Sequence, residues 1–380
     1  MNLKEKFEEL QTKVNTYLSL GDSKLDIHMG GLTPKAMHVI GGAPKTGKTK
    51  LVSSKFIIEP YLDNLAKGSP FNLKCAFYSF EMDKESVQFE FASYFFYRDH
   101  GIEKFNYRLS TGETIMLYIS SRYLMSNLIA LNGLGKVEKI VVSEEHKKIL
   151  FDIIDKRIVP MFKDYIWFQE KRTNPTGIYK DIKTHMMNMG TVKYEDYYIK
   201  TKLRNPATGE LEEKTVKRSK ISEYIPDDPT LLQIVVIDHV RKLKPEKGYS
   251  SMKERIDLLS DYFVQLRNTY SITPVCIVHT NRSSSSIERQ KHQGDKLFPN
   301  DSDLKDTGNL AEDANYVWTC FNPTDEQYAL TTHFGLKLRT EDKKYEFLRT
   351  LHLVQARGAE CPAHFSYNFN GAQGVFKTYT

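Results

Sequence analysis

GAPKTGKT, residues 42–49, constrains this chain more than any other stretch. It fits G-x-x-x-x-G-K-[ST], a turn that works only between a strand and a helix whose open end faces a phosphate. Gly42, Ala43, Pro44, Lys45, Thr46 and Gly47 form the loop. The glycines let successive backbone N–H groups point inward at phosphate oxygens. Lys48 adds a point charge for the β and γ phosphates, and Thr49 offers a hydroxyl to Mg²⁺. An apolar strand, MHVIGG at 37–42, precedes the loop, and a helical stretch at 48–65 follows it. A nucleoside triphosphate such as ATP, with Mg²⁺, is the expected ligand.

The rest of the chain supplies a sheet to hold such a loop. Apolar runs at 75–80, 165–169, 232–238 and 274–279 read as strands buried on both faces. Helices are expected at 84–99, 112–131, 143–158, 176–188 and 252–270, with shorter β segments at 316–321 and 350–356. This alternation predicts an α/β fold with a mainly parallel sheet flanked by helices. Two stretches break the rhythm. Residues 194–229 hold two β-prone runs around a Pro/Gly turn and predict an inserted hairpin, exposed decoration rather than a binding arm. Residues 281–308, with Ser283 to Ser286, read as a mobile polar loop. At the start, Leu3, Phe7, Leu10, Val14 and Leu18 recur at helical spacing, so residues 2–19 predict an amphipathic helix that must dock on something. The division is a helix over 1–21 and one domain over 22–380.

Composition narrows the setting. The 54 Lys and Arg exceed the 48 Asp and Glu by only six charges, which permits a polyanionic partner without requiring one. No apolar run approaches the roughly 20 residues that span a bilayer, and MNLKEKFEEL lacks a signal-peptide core. The four cysteines form no C-x-x-C pair. A soluble cytoplasmic protein with no membrane contact is expected.

Three more residues stand at strand ends, where ligands bind in open α/β sheets. Asp238 ends LQIVVID and suits a magnesium ligand, direct or through water; the bland reading is a turn cap. Glu81 ends CAFYSF and is either a base for the attacking water or an acidic residue favouring the next helix. His279 ends PVCIVH and either donates to the γ-phosphate or packs as a satisfied strand-end histidine.

With those residues placed, the chain resembles the RecA-like motor domain of the DnaB family of ring-shaped replicative helicases, phage members included. The likeness runs from about Leu25 to the C-terminus. MGGLTPKAMHVIGGAPKTGKT is similar to the family's entry strand and phosphate loop, FYSFEMDKESV to the segment with its water-activating Glu, and VVIDHVRKL to its magnesium strand. The resemblance therefore makes Glu81 the catalytic base and Asp238 the magnesium residue, although His239 stands where Tyr is common. VHTNR matches the γ-phosphate sensor. His279 departs from the Gln of many bacterial members and suits some phage ones. SDLKDTGNLAEDANYVW at 302–318 is similar to the family's loop facing the central channel, which puts Lys305, Asp306 and Gly308 at strand-contacting positions. Lys242 and Lys244, with Lys247, are candidates for a second channel loop. LHLVQARGA implies that Arg357 is an arginine finger reaching a neighbour's nucleotide, with Gln355 in place of the usual Lys.

The resemblance thus implies an ATP-driven helicase that translocates on single-stranded DNA as a homo-oligomer, a hexamer by analogy. Primase, a loader or other replisome proteins would be its partners, in the host cytoplasm if phage-encoded. The expectation from the resemblance is that the family's globular N-terminal domain or fused primase is missing, with the 2–19 helix in the position of its linker helix. A RecA-type recombinase filament and a non-motor helicase-loading or assembly scaffold remain as alternatives.

Overall fold

The computed structural model describes residues 4, 8, 17–204, 211–281, 289, 290, 293–304, 306–328, 330–338 and 344–379. One nine-stranded sheet organises them. In chain order its strands are β1 (His38–Gly42), β2 (Asn72–Ser79), β3 (Ile166–Gln169), β4 (Leu231–Asp238) and β5 (Thr273–Ile277). Then come β6 (Tyr316–Phe321), β7 (Leu348–Ala356), β8 (Ala363–Asn370) and β9 (Val375–Thr378). Side by side they run β9-β8-β7-β6-β1-β5-β4-β2-β3. The six from β6 to β3 are parallel, and β7, β8 and β9 add on antiparallel.

Successive strand residues point to opposite faces, and here both faces are covered. Ile40, Phe77 and Val236 join one apolar cluster, while Val39, Tyr78 and Val235 join the other. A strand buried on both sides has no solvent face to mark with polar residues, which is why these segments read as unbroken apolar runs.

The first cluster is roofed by α2 and α3. Helix α1 (Ser23–Met29) precedes β1. Helix α2 starts as Lys48–Val52, passes through a π segment, Ser53–Ile58, and continues as Glu59–Ala66. Helix α3 (Lys84–His100) is capped by the Asp83 carboxylate, which accepts from the Ser86 N–H at 2.7 Å. Helix α4 (Glu144–Ile153) flanks this layer. The second cluster is covered by α5 (Pro175–Met187), α6 (Met252–Tyr270) and α7 (Gly308–Asp313), through Ile178, Phe263 and Leu310. Ser251 and Glu254 form a capping box at the start of α6. Such a cap stabilises a helix by about 1 kcal/mol.

Three expectations need correction or completion. The helix expected over 112–131 is instead β structure around one short helical turn, Ser121–Leu124. Lys104–Arg108 pairs with Thr114–Tyr118, and Ile129–Leu131 with Val137–Lys139. The cause is the period of two in KFNYR, which turns Phe105 and Tyr107 inward, and Gly112 at φ +85°, which closes the turn. The stretch expected as a mobile polar loop, 281–308, is structured where described. The Arg289 guanidinium pairs with the buried Asp303, and short 3₁₀ turns occupy Gly294–Lys296 and Asp301–Asp303. Residues 282–288, 291, 292 and 305 lie outside the described residues. Of the helix expected over 2–19, residues 4, 8 and 17–19 are described, and of these Lys4 and Glu8 are helical. Leu18 is not helical, because it pairs with Leu32 across an antiparallel bridge and is buried together with Leu20.

The inserted hairpin is present as Gly190–Arg204 against Leu211–Pro226. Tyr224 roots it, donating from its hydroxyl to the Met186 carbonyl at 2.9 Å and stacking edge-on to Tyr270. Tyr194 and Tyr198 further out are exposed. No helix among the described residues is long and apolar enough to cross a membrane.

His38, on β1, carries a pH dependence. Its imidazole is fully buried between Tyr316 and Phe56, with both ring nitrogens unpartnered among the described residues. Burial pushes its pKa down to about 3 from 6.5. The unfolded chain therefore binds the extra proton first, so stability is complete above 6.5 and is lost as pH falls toward 3, by about 1.4 kcal/mol per unit. His38→Phe removes this slope. Thermal melts at about pH 7 and pH 5 should shift in the variant's favour by roughly 2 kcal/mol on acidification. An unchanged gap would discard the assignment.

Candidate active site

The phosphate loop joins β1 to α2, and its shape depends on backbone conformations that side chains oppose. Gly47 has φ +94°, and a Cβ there would meet the Phe369 ring at 2.9 Å. Lys45 itself sits in the left-handed region at φ +66°. Gly47 caps α2 without a side-chain hydrogen bond, so the first-turn N–H groups remain open to an anion. The Lys48 ammonium donates to the Ala43 carbonyl at 2.7 Å, and the Thr46 hydroxyl donates to the same oxygen at 2.9 Å. Burial pushes Lys48 down to about 8, against the opposing pull of Asp238 and Glu81.

Asp238 ends β4 and is almost fully buried. Its Oδ1 accepts from the Thr49 hydroxyl at 3.2 Å. Burial first, and then the charge of Glu81, pushes Asp238 up to about 7, against the Thr49 hydrogen bond and Lys48. A buried carboxylate held this high is a poor lone anion and a good partner for a cation. Together with the Thr49 hydroxyl it gives two oxygen donors beside the phosphate loop, the sparse set that suits Mg²⁺ sharing its shell with phosphates and water.

The strand order brings the other expected residues to the same edge. Register pairs Asp238 with Ser79 of β2 and Ile40 of β1 with Ile277 of β5. Glu81 therefore follows β2 beside Asp238, and His279 follows β5 between β1 and β4. The Phe80 N–H donates to the Asp238 carbonyl at 2.8 Å, fastening the two strand ends. The phosphate loop, Glu81, His239 and His279 line one cleft of about 360 Å³. Glu81 is partly exposed there and pairs with Lys242 at 3.3 Å.

His239 was not singled out as a site residue by sequence reasoning. Its ring lies 3.9 Å from that of His279, tilted by 37°, and the Nδ1 of each is buried without a partner among the described residues. Burial holds both imidazoles neutral, at about 3 for His239 and about 4 for His279. The signal was its place directly after Asp238 at the cleft edge. A second missed feature is a cavity of about 340 Å³ on the β8 side of the loop, lined by Tyr118, Phe347, Arg349, Asn368 and Phe369. Arg349 lies over the Phe369 ring at 5.4 Å, and its Nε is buried without a partner among the described residues. The Asn/aromatic alternation of β8 was the available signal.

The remaining residues lie elsewhere. Lys305 is outside the described residues. Asp306 has φ +60° and pairs with Arg241 at 3.8 Å, while Gly308 opens α7. The Lys244 side chain is exposed, and its N–H donates to the Thr173 carbonyl at 3.0 Å. Gln355 is held within the chain, donating to the Ala311 carbonyl at 3.2 Å. Arg357 is not at the cleft. Register pairs Ala356 with Tyr316, and Tyr316 with His38, which puts Arg357 at the amino edge of the parallel strands. There it is exposed and donates to the Glu312 carbonyl at 2.6 Å. At ~3.3 Å per residue, the length of β1 alone puts roughly 15 Å between that edge and the phosphate loop.

No protein-family model matches the chain, and no curated protein matches it. Among solved structures, the fold is similar to a DnaB-like replicative helicase studied for its interactions with primase, with a TM-score of 0.61 and 15% identity, covering 100% of this chain and 68% of that one. It is equally similar to a separately solved ATPase domain of another protein, at TM-score 0.61 and 15% identity, covering 100% and 97%. The chain shares the α/β fold of these two structures, a large, mainly parallel sheet flanked by helices.

Proposed function

We propose that this chain is the motor of a ring-shaped, ATP-driven helicase that moves on single-stranded DNA. The observation that carries the reading is the split between the two edges of the sheet. The phosphate loop, Glu81 and His279 line one cleft with Asp238 buried against Thr49, while Arg357 stands at the opposite edge, which supports a role for it at the cleft of another copy.

In this reading, ATP lies along the phosphate loop with its base in the cavity beside Phe369 and Arg349. Thr49 and Asp238 would hold Mg²⁺, which would supply charge neutralisation at the phosphate oxygens. Glu81 accepts a proton from water as the water oxygen bonds to the γ-phosphorus and the bond to the bridging oxygen breaks. Lys48 and the neighbour's Arg357 stabilise the charge spread over the transferred group. His279 senses the γ-phosphate and passes its loss to Lys305, Asp306 and Gly308, which hold the strand backbone without reading bases. Lys242 and Lys244 extend this contact. The subunits number six by analogy, residues 22–380 form the motor with Leu18 and Leu20 packed into it, and the helical stretch holding Lys4 and Glu8 docks on an adjacent subunit. Primase or a loader are candidate partners, in a cytoplasmic setting.

ATP-dependent strand displacement on a forked duplex, combined with particle mass in solution, tests the reading. The expected result is displacement by a multi-subunit particle and none by Lys48→Ala. Displacement by the Lys48 variant, or full activity in a monomer, would refute it. Lys305→Ala should weaken strand binding about equally for all sequences and reduce the salt slope by roughly one. Titration of strand affinity against salt checks this, and an unchanged slope would remove Lys305 from the contact.

A further inference from the structure

The short turn after Asp238, Val240–Lys242, carries two adjacent cations that reach two different carboxylates. Lys242 pairs with Glu81 at 3.3 Å, and Arg241 pairs with Asp306 at 3.8 Å. The turn itself is fixed. Val240 is fully buried, and the Lys242 N–H donates to the His239 carbonyl at 2.9 Å. The segment before Asp306 is fastened to the phosphate-loop strand. Leu304 bridges Thr280 and covers Gly41 so closely that a Cβ there would lie 2.1 Å from Leu304 Cδ2. Both ion pairs are partly exposed, so a polyanion can compete for them from solvent.

We propose that Lys242 and Arg241 are a release device operated by a phosphodiester backbone. In the free chain Lys242 occupies a Glu81 oxygen and keeps it from water, and Arg241 tethers Asp306. Strand phosphates draw both cations away, freeing Glu81 to orient and deprotonate water at the moment the strand is engaged. Lys242 is thus a positioning residue that acts through Glu81. The inference rests on the ATPase reading above and adds to it a reason for turnover to wait for the strand. Two neighbouring side chains on one rigid turn make the two releases a single event.

Steady-state ATP turnover of the full chain, with and without an oligo-dT strand, tests this. Exposed ion pairs contribute up to about 1 kcal/mol, which is about a fivefold change in a rate or equilibrium. Lys242→Gln should therefore raise the strand-free rate up to ~5-fold and shrink the stimulation by strand in proportion. Lys242→Arg, which keeps the charge, should retain the wild-type pattern. Higher ionic strength should raise the strand-free rate of the wild type and leave that of Lys242→Gln flat, because screening weakens the pair. A Lys242→Gln protein whose strand-free rate is unchanged or lower, with stimulation intact, overturns the release device alone. Absence of ATP turnover in the wild type under every condition sinks both this inference and the ATPase reading.

Discussion

Mixing the Lys48→Ala and Arg357→Ala proteins in equal amounts restores ATP turnover that neither has alone. Each single variant should fall by three or more orders of magnitude, since an arginine finger contributes roughly 10³–10⁵ in rate. In the mixture, a seam works when an intact phosphate loop faces an intact Arg357. With random assembly across a head-to-tail interface, about one seam in four meets that condition. Turnover near a quarter of the wild-type rate is therefore expected. The prediction combines the proposed finger role with register, because Arg357 continues a strand that pairs at Tyr316 and His38, far from Gly42. A mixture no more active than its components would show that the two residues do not share a site across copies.

Glu81→Gln is the second large effect. The amide keeps the shape of the carboxylate but cannot take a proton from water. Turnover should fall by about 10²–10⁴, the range for loss of a positioned general base. Nucleotide affinity should hold within about twofold, because the phosphate loop, Thr49 and Asp238 are untouched. Single-turnover hydrolysis alongside titration with a fluorescent nucleotide separates the two quantities. A variant that binds weakly but turns over normally once saturated would move Glu81 from chemistry to binding.

The carboxyl edge of the parallel strands was legible because its strands are apolar runs that end abruptly. Gly42, Glu81, Asp238 and His279 all follow such runs, and a parallel sheet brings those ends together. The side-chain partnerships were not legible. His239 against His279, Lys242 against Glu81, and Arg349 over Phe369 join residues far apart in sequence, and only strand order and register bring them together. The segment 112–131 failed for a different reason. Its apolar residues satisfy helical spacing as well as alternation, and pairing with Lys104–Arg108 decided between the two. The opposite placement of Arg357 needed the antiparallel direction of β7, which its composition does not encode.

That reversal of direction reaches beyond a single protomer. The phosphate loop and Arg357 stand at opposite edges of one sheet, so under the proposed reading an unclosed head-to-tail series leaves one of each open at its ends. A series with every copy facing the same way leaves none open once it closes. Specific activity should then climb with protein concentration until the series closes on itself, and the chemistry inherits a handedness that no isolated protomer possesses.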